Sequence, residues 1–204
     1  MAGGYEQVVL NADTPFEEGA FQPRFVMSMF KGTEKQKMQQ AQYMNHLVNA
    51  RNVPVKHAMG ILANIFGEST YDPSSVGDDG KSFGLFQWKD ERGKRMKKWV
   101  NKGREEDAWK TDWRGQLDYI LKEHEPWADG GQSLDTFYSR YEEYLEKNPN
   151  ATVNDASDYL VDHNLGPLDK PGAKKKRQEH LSGITKTVTS QIKVTDDPLR
   201  NYNQ

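Results

Sequence analysis

Glu68 closes an apolar run, "GILANIF" at 60–66, and the stretch that follows it, "STYDPSSVGDDGKSFGLFQW" at 69–88, changes character completely. A carboxyl at the C-terminal end of an apolar helix feels two effects of the same sign. Desolvation by Ile65 and Phe66 disfavours the anion, and the negative end of the helix dipole repels it. A carboxyl held protonated near neutral pH is what a general acid requires, and cleavage of a glycosidic bond needs such a group to protonate the leaving oxygen. The plainer alternative is a glutamate that leaves its helix for solvent, and position alone does not separate the two. The neighbours favour chemistry. Tyr71, Phe83, Phe86 and Trp88 offer aromatic faces for sugar rings, Gln87 an amide for their hydroxyls, and Asp78 and Asp79 a second carboxylate. Phe86 and one other aromatic are expected in the core, because neighbours on a strand alternate between faces. The same alternation turns only one of Asp78 and Asp79 toward a cleft, where it orients a water while the other holds the turn. The candidate catalytic set is therefore Glu68 with Asp78 or Asp79. The candidate substrate-binding set is Tyr71, Ser82, Phe83, Gln87 and Trp88.

Helices must carry these groups. "TEKQ" at 33–36 fits a capping box and opens a helix with Met38, Ala41, Met44, Leu47 and Val48 on one face. Pro54 suits the first turn of a second helix, apolar nearly all round and therefore central. Asp79-Gly80 marks the turn of a small hairpin. Helical spacing returns at Trp113, Leu117, Ile120 and Leu121, at Leu134, Phe137, Tyr138, Tyr141 and Leu145, and at Ala156, Tyr159, Leu160 and His163. A last, basic helix is expected from Ala173 to Ile184. The fold class is α+β, mainly α-helical, with the hairpin beside the central helix. Residues 1–32 read as an N-terminal arm, 33–183 as one domain and 184–204 as a C-terminal tail.

The net charge of -2 gives no global field to recruit nucleic acid or a membrane surface. Local basic clusters, "GKRMKKW" at 93–99 and "AKKKRQ" at 173–178, read first as solvated helix faces and second as contacts for anionic wall polymer. The chain has no cysteine, which excludes disulfides, thiol nucleophiles and thiolate metal sites. The five histidines are scattered, so no zinc site or other cofactor is expected. "GDDGKSFG" lacks both the alternating ligands of an EF-hand and the ending of a P-loop. The acidic start "MAGGYEQVVLNADTPFEEG" is unlike a signal peptide, and synthesis in a host cytoplasm without export is expected.

The order Asn64, Glu68-Ser69, Pro73, then Gly77-Asp78, Gly80, Ser82, Gly84, Gln87-Trp88 and Arg92 resembles the phage tail lysozymes. "QLDYILKE" at 116–123 and "DASDYLVDHNLGP" at 155–167 look like that family's later helices, so the resemblance covers roughly 40–183. It implies a lysozyme-like fold, a glutamate acid at Glu68 and a glycan cleft lined by Gln87, as in the related lytic transglycosylases. Gly67 departs from the pattern, standing where relatives carry a bulkier residue. The expected activity is cleavage of the β-1,4 bond between N-acetylmuramic acid and N-acetylglucosamine in peptidoglycan. Hydrolysis, with an Asp activating water, and attack by the muramic 6-hydroxyl to give an anhydro product both remain open. So do a virion-associated lysin, a soluble endolysin, a chitin-cleaving relative and a structural tail protein with an inactive domain. Residues 1–32 and 184–204 are the segments expected to meet other virion or tail proteins.

Overall fold

Thr33 begins the first helix by the reciprocal bonding expected of it: its hydroxyl accepts from Gln36 N–H at 3.2 Å, and Gln36 Oε1 accepts from Thr33 N–H at 3.0 Å. The computed structural model describes residues 24–123, 136–165 and 170–191. Helix α1 (Glu34–Met44) continues as a π-helical turn (Asn45–Ala50) and is followed by α2 (Val55–Ser69). Strands β1 (Val76–Gly77), β2 (Ser82–Phe83) and β3 (Trp88–Lys89) form a small antiparallel sheet in that order. Then come α3 (Asp90–Val100), α4 (Trp113–Lys122), α5 (Phe137–Lys147), α6 (Val153–Leu160) with a π-helical extension (Val161–Leu165), and α7 (Lys170–Gln191).

The fold is mostly helical with one small sheet, as the residue pattern predicts. Helix α2 is its axis, because a helix apolar on every side is stable only when surrounded. Ile61, Leu62, Ala63 and Ile65 are all fully buried, and each large aliphatic side chain contributes about 1.5–3 kcal/mol by leaving water. Helices α6 and α7 pack along it. Asn64, wholly buried, joins α2 to α6 by donating to Gly60 O at 2.9 Å and Ser157 O at 3.2 Å.

Several boundaries and faces differ from the sequence reading. Met38, assigned to the buried face of α1, is 43% exposed, while Gln40 turns inward and donates to Lys31 O at 2.8 Å. Phe25, Met29 and Phe30 are buried, so the end of the expected arm packs on the core. Ile184 is buried too, and α7 runs past the position where a tail was expected to begin. The cluster "GKRMKKW" lies on α3, whose Gly93, Met96 and Val100 face the core while its lysines line the outside. Leu134 lies outside the described residues.

Two buried polar anchors tie the sheet to the helices. Trp88 Nε1 donates to Glu123 Oε2 at 3.0 Å, and Arg92 donates to both oxygens of that carboxylate at 2.8 Å. Glu123 is only 2% exposed, yet the indole and the guanidinium fork satisfy it. Gln116, on α4, is the second anchor. Its Oε1 accepts from Leu85 N–H at 2.8 Å, and its Nε2 donates to Pro73 O at 2.9 Å and Trp109 O at 2.7 Å.

Replacing Glu123 by Ala removes the carboxylate on which a half-buried guanidinium and a buried indole N–H converge, a change expected to cost about 3–5 kcal/mol. Urea unfolding should show a clearly lower midpoint for Glu123→Ala. A midpoint within experimental error of the parent would remove Glu123 from this role.

Candidate functional site

Helix α2 ends just beyond Glu68, at Ser69. Thr70 caps it in the left-handed region (φ 51°), with its N–H on Phe66 O at 3.1 Å. Ser69 turns inward, and its hydroxyl lies 3.1 Å from Ile65 O and 3.0 Å from Leu85 O, which binds the helix end to the loop after β2. Glu68 is thereby left on the edge of the core with its side chain 19% exposed. Burial is the largest influence on its carboxyl and raises its proton affinity, as the sequence suggests. Two cations of α7, Arg177 and Lys176, pull the other way, and the charge of Asp78 adds to the rise. Arg177 Nη2 donates to Glu68 Oε1 at 2.5 Å.

Asp78 and Asp79 occupy a turn between β1 and β2 rather than a strand, so alternation does not govern them. Both are exposed and both take positive φ, 47° and 53°. Asp78 Oδ2 accepts from Ser82 Oγ at 2.7 Å and pairs with Lys89 Nζ at 3.2 Å. The Ser82 hydroxyl first, then Lys89, holds the Asp78 carboxyl below the usual carboxylate range. The charge of Asp78 is felt at Glu68, and the two carboxyl groups are driven in opposite directions. That divergence is the arrangement from which an acid and its anionic counterpart are assigned.

The expected binding residues divide sharply. Tyr71 is fully buried and bonded within the core: Tyr43 OH donates to its carbonyl at 2.8 Å, and its own hydroxyl meets His180 Nε2. Trp88 is 1% exposed and committed to Glu123. Ser82 is buried beneath the turn, oriented toward Asp78. These three side chains position the site and present no open face. Phe83 is half-buried, with Lys97 Nζ 3.1 Å from its ring centroid and the Trp109 ring edge-on at 5.8 Å. Gln87 is half-buried and donates to Gly84 O at 2.9 Å and Ser75 O at 3.3 Å. Phe86 lies in the core as expected, but it sits in the turn between β2 and β3 with Leu85 buried beside it, so strand alternation is not the reason.

Positive φ recurs around this site. Thr70, Tyr71, Asp78, Asp79, Gln87 and Asp90 all adopt it, whereas among the other described non-glycine residues only Asn52 does. For Thr, Tyr and Gln this conformation costs on the order of 1–3 kcal/mol each. The surrounding bonds, from Tyr43, Ser69 and Gln116, hold the strained segment in place.

Residues near the chain's end were invisible as site components in the sequence. Arg177 belongs to the cluster "AKKKRQ", which reads as solvated, yet it is 2% exposed. The signal was its spacing: Ala173, Arg177, Leu181 and Ile184 share one helix face, so a charge sits in an apolar stripe. His180 stacks on Phe66 at 3.8 Å between centroids, nearly parallel. Burial lowers its pKa to about 4. Among the described residues no three His, Asp or Glu side chains converge as metal ligands.

A family model described as phage tail lysozyme matches residues 38–182, well over half of the chain. No curated protein matches the sequence.

Histidines buried as neutral rings make stability depend on pH. His180 and His57 both hold a proton less tightly in the fold, at about 4, than the ordinary 6.5. Between those values the unfolded chain binds more protons, so stability is full above about pH 6.5 and declines as pH falls toward 4. At about 1.4 kcal/mol per unit, His180 alone accounts for on the order of 1–3 kcal/mol. Urea unfolding of His180→Gln should show a shallower decline over that window than the parent; an equal slope would refute the assignment.

Proposed function

The chain belongs to the phage tail lysozyme family, and from that premise we propose that it cleaves the β-1,4 bond between N-acetylmuramic acid and N-acetylglucosamine of peptidoglycan. The observation that carries this reading is Glu68: a carboxyl at the rim of the core, its proton affinity raised by burial, electrostatically coupled to the anionic Asp78. Glu68 gives its proton to the leaving glycosidic oxygen as the bond to the anomeric carbon breaks. Asp78, oriented by Ser82 and kept anionic by Lys89, faces the developing positive charge and takes a proton from the water that attacks the anomeric carbon. Asp79 shapes the turn. Gln87 and Phe83 are the binding-set residues with surface left to meet glycan. The reaction needs no cofactor.

The family's description supports a setting in the phage tail. The glycan strands of the wall are the proposed substrate, and other tail proteins the proposed partners of the two ends of the chain. No helix among the described residues is long and apolar enough to cross a membrane. The family's description favours delivery by the particle over release as a soluble endolysin. Detection of the protein by mass spectrometry in purified particles is expected. Its absence there, with free protein in the lysate, would mark a soluble endolysin.

Glu68→Gln should lower turbidity clearance of purified peptidoglycan by about 100-fold or more, the usual scale for loss of a general acid. Equal activity in parent and variant would take Glu68 out of the mechanism, and an inactive parent would favour a structural tail protein. Muropeptides released by the parent should carry reducing muramic ends, with Asp78→Asn slowing their formation more than Asp79→Asn. An exclusively anhydro product would overturn the hydrolytic route. Chitin oligomers should be cleaved less well than peptidoglycan.

A further inference from the structure

Arg177 is housed in a way that helix packing alone does not explain. It lies on the inner face of α7 and is 2% exposed. Nη1 donates to Ala173 O at 3.0 Å, one turn back, and Nη2 to Glu68 at 2.5 Å, while its buried Nε meets no acceptor among the described residues. A guanidinium buried with a donor to spare is unfavourable unless its pairing compensates. An aliphatic residue would suit the stripe of Ala173, Leu181 and Ile184 better. Beneath the guanidinium lies Gly67. Its backbone is ordinary helix, so the conformation does not demand glycine. Space favours it: a Cβ there would meet Arg177 Cζ and come within 2.6 Å of Nη2 and 2.7 Å of Nε, so the guanidinium would have to move aside. A glycine inside a helix is itself unfavourable. Two locally unfavourable residues, 110 positions apart, therefore make one arrangement that is favourable only because the guanidinium reaches the carboxylate of Glu68.

We propose that Arg177, seated in the space left by Gly67, is a positioning residue for Glu68: it fixes the direction of the carboxyl and sets the pH range in which that group can give up its proton. The proposal rests on the reading of Glu68 as proton donor. Arg177 acts by a bond along one oxygen and by a positive charge that favours the anion. The other charged or titratable groups around the pair are Lys176 and His180 from α7, Asp78 from the turn between β1 and β2, and Asp158 from α6, whose charge is felt at Arg177. Arg177 alone among them bonds to Glu68, so its removal should dominate the response.

The test uses the full chain with three variants, Arg177→Met, Arg177→Lys and Gly67→Ala. The Glu68 carboxyl is titrated by carbon-13 NMR, assigned by the signal lost in Glu68→Gln, and the pH profile of peptidoglycan cleavage is measured beside it. In Arg177→Met the midpoint of Glu68 should rise by about 1 unit or more, the scale of losing an adjacent opposite charge. The alkaline limb of the activity profile should move with it. Arg177→Lys should keep most of the midpoint but lose the fixed orientation, giving roughly tenfold lower kcat with little change in KM. Gly67→Ala, which leaves the charge in the chain and only displaces it, should shift the midpoint in the same direction as Arg177→Met. If Arg177→Met does not fold, Gly67→Ala carries the test alone. A midpoint unmoved in the folded variants, or activity lost without movement of the alkaline limb, overturns the proposal. If the parent cleaves no glycan, the reading of Glu68 as acid fails, while the carboxyl titration still decides whether Arg177 governs it.

Discussion

The bond between Glu68 and Arg177 joins the end of the central helix to α7, far away along the chain. Opposite charges brought into a poorly solvated place lose hydration, and they regain it from each other only when the geometry is good. Here that geometry depends on α7 lying at a fixed height and rotation on α2. Leu181 and Ile184 provide adhesion, but apolar contact is not directional and would tolerate a turned or shifted helix. The stacking of His180 on Phe66, its meeting with the Tyr71 hydroxyl, and the fit of the guanidinium over Gly67 exclude those alternatives. The carboxyl at the site is therefore set by the completed fold and not by α2 alone.

A second division of labour holds the opposite wall. The sheet is three strands of two residues each, far too little to be stable unaided. Its position comes from side chains behind it: Gln116 bonded to three separate loop segments, and Glu123 gripped by Trp88 and Arg92. Buried amides and carboxylates of this kind are unfavourable unless every partner is in place, which makes them strict about register. They let a strained turn carry Asp78 and Asp79 at positive φ without the loop relaxing into an easier conformation.

Many motif residues that invite a catalytic or binding role serve this scaffolding. Asn64, Ser69, Ser82 and Trp88 each direct their polar atoms into the protein. The motif is thus largely a recipe for placing two carboxyl groups in contrasting surroundings. One is at the rim of the core, the other is exposed and hydrogen-bonded, and the contrast separates their proton affinities.

The local pattern of the chain was enough for most of the helical elements, though not for α3, and for a carboxyl at the end of α2. Capping at Thr33, the all-round apolar character of α2 and the turn residues at Asp79-Gly80 are short-range features, and short-range sterics and solvation act the same way in any fold. The family resemblance likewise rested on contiguous residues, and the match over 38–182 bears it out. Composition could not say which aromatics face water: Tyr71 and Trp88 resemble ring platforms in the sequence and are core residues in the structure. Nor could it distinguish Arg177 from the solvated lysines beside it, although its place in the stripe with Leu181 marked it as odd. The sequence by itself determined that a carboxyl would end an apolar helix. Only the tertiary structure decided that a cation from α7 would meet it, because burial and ion pairing depend on what lies across space rather than along the chain.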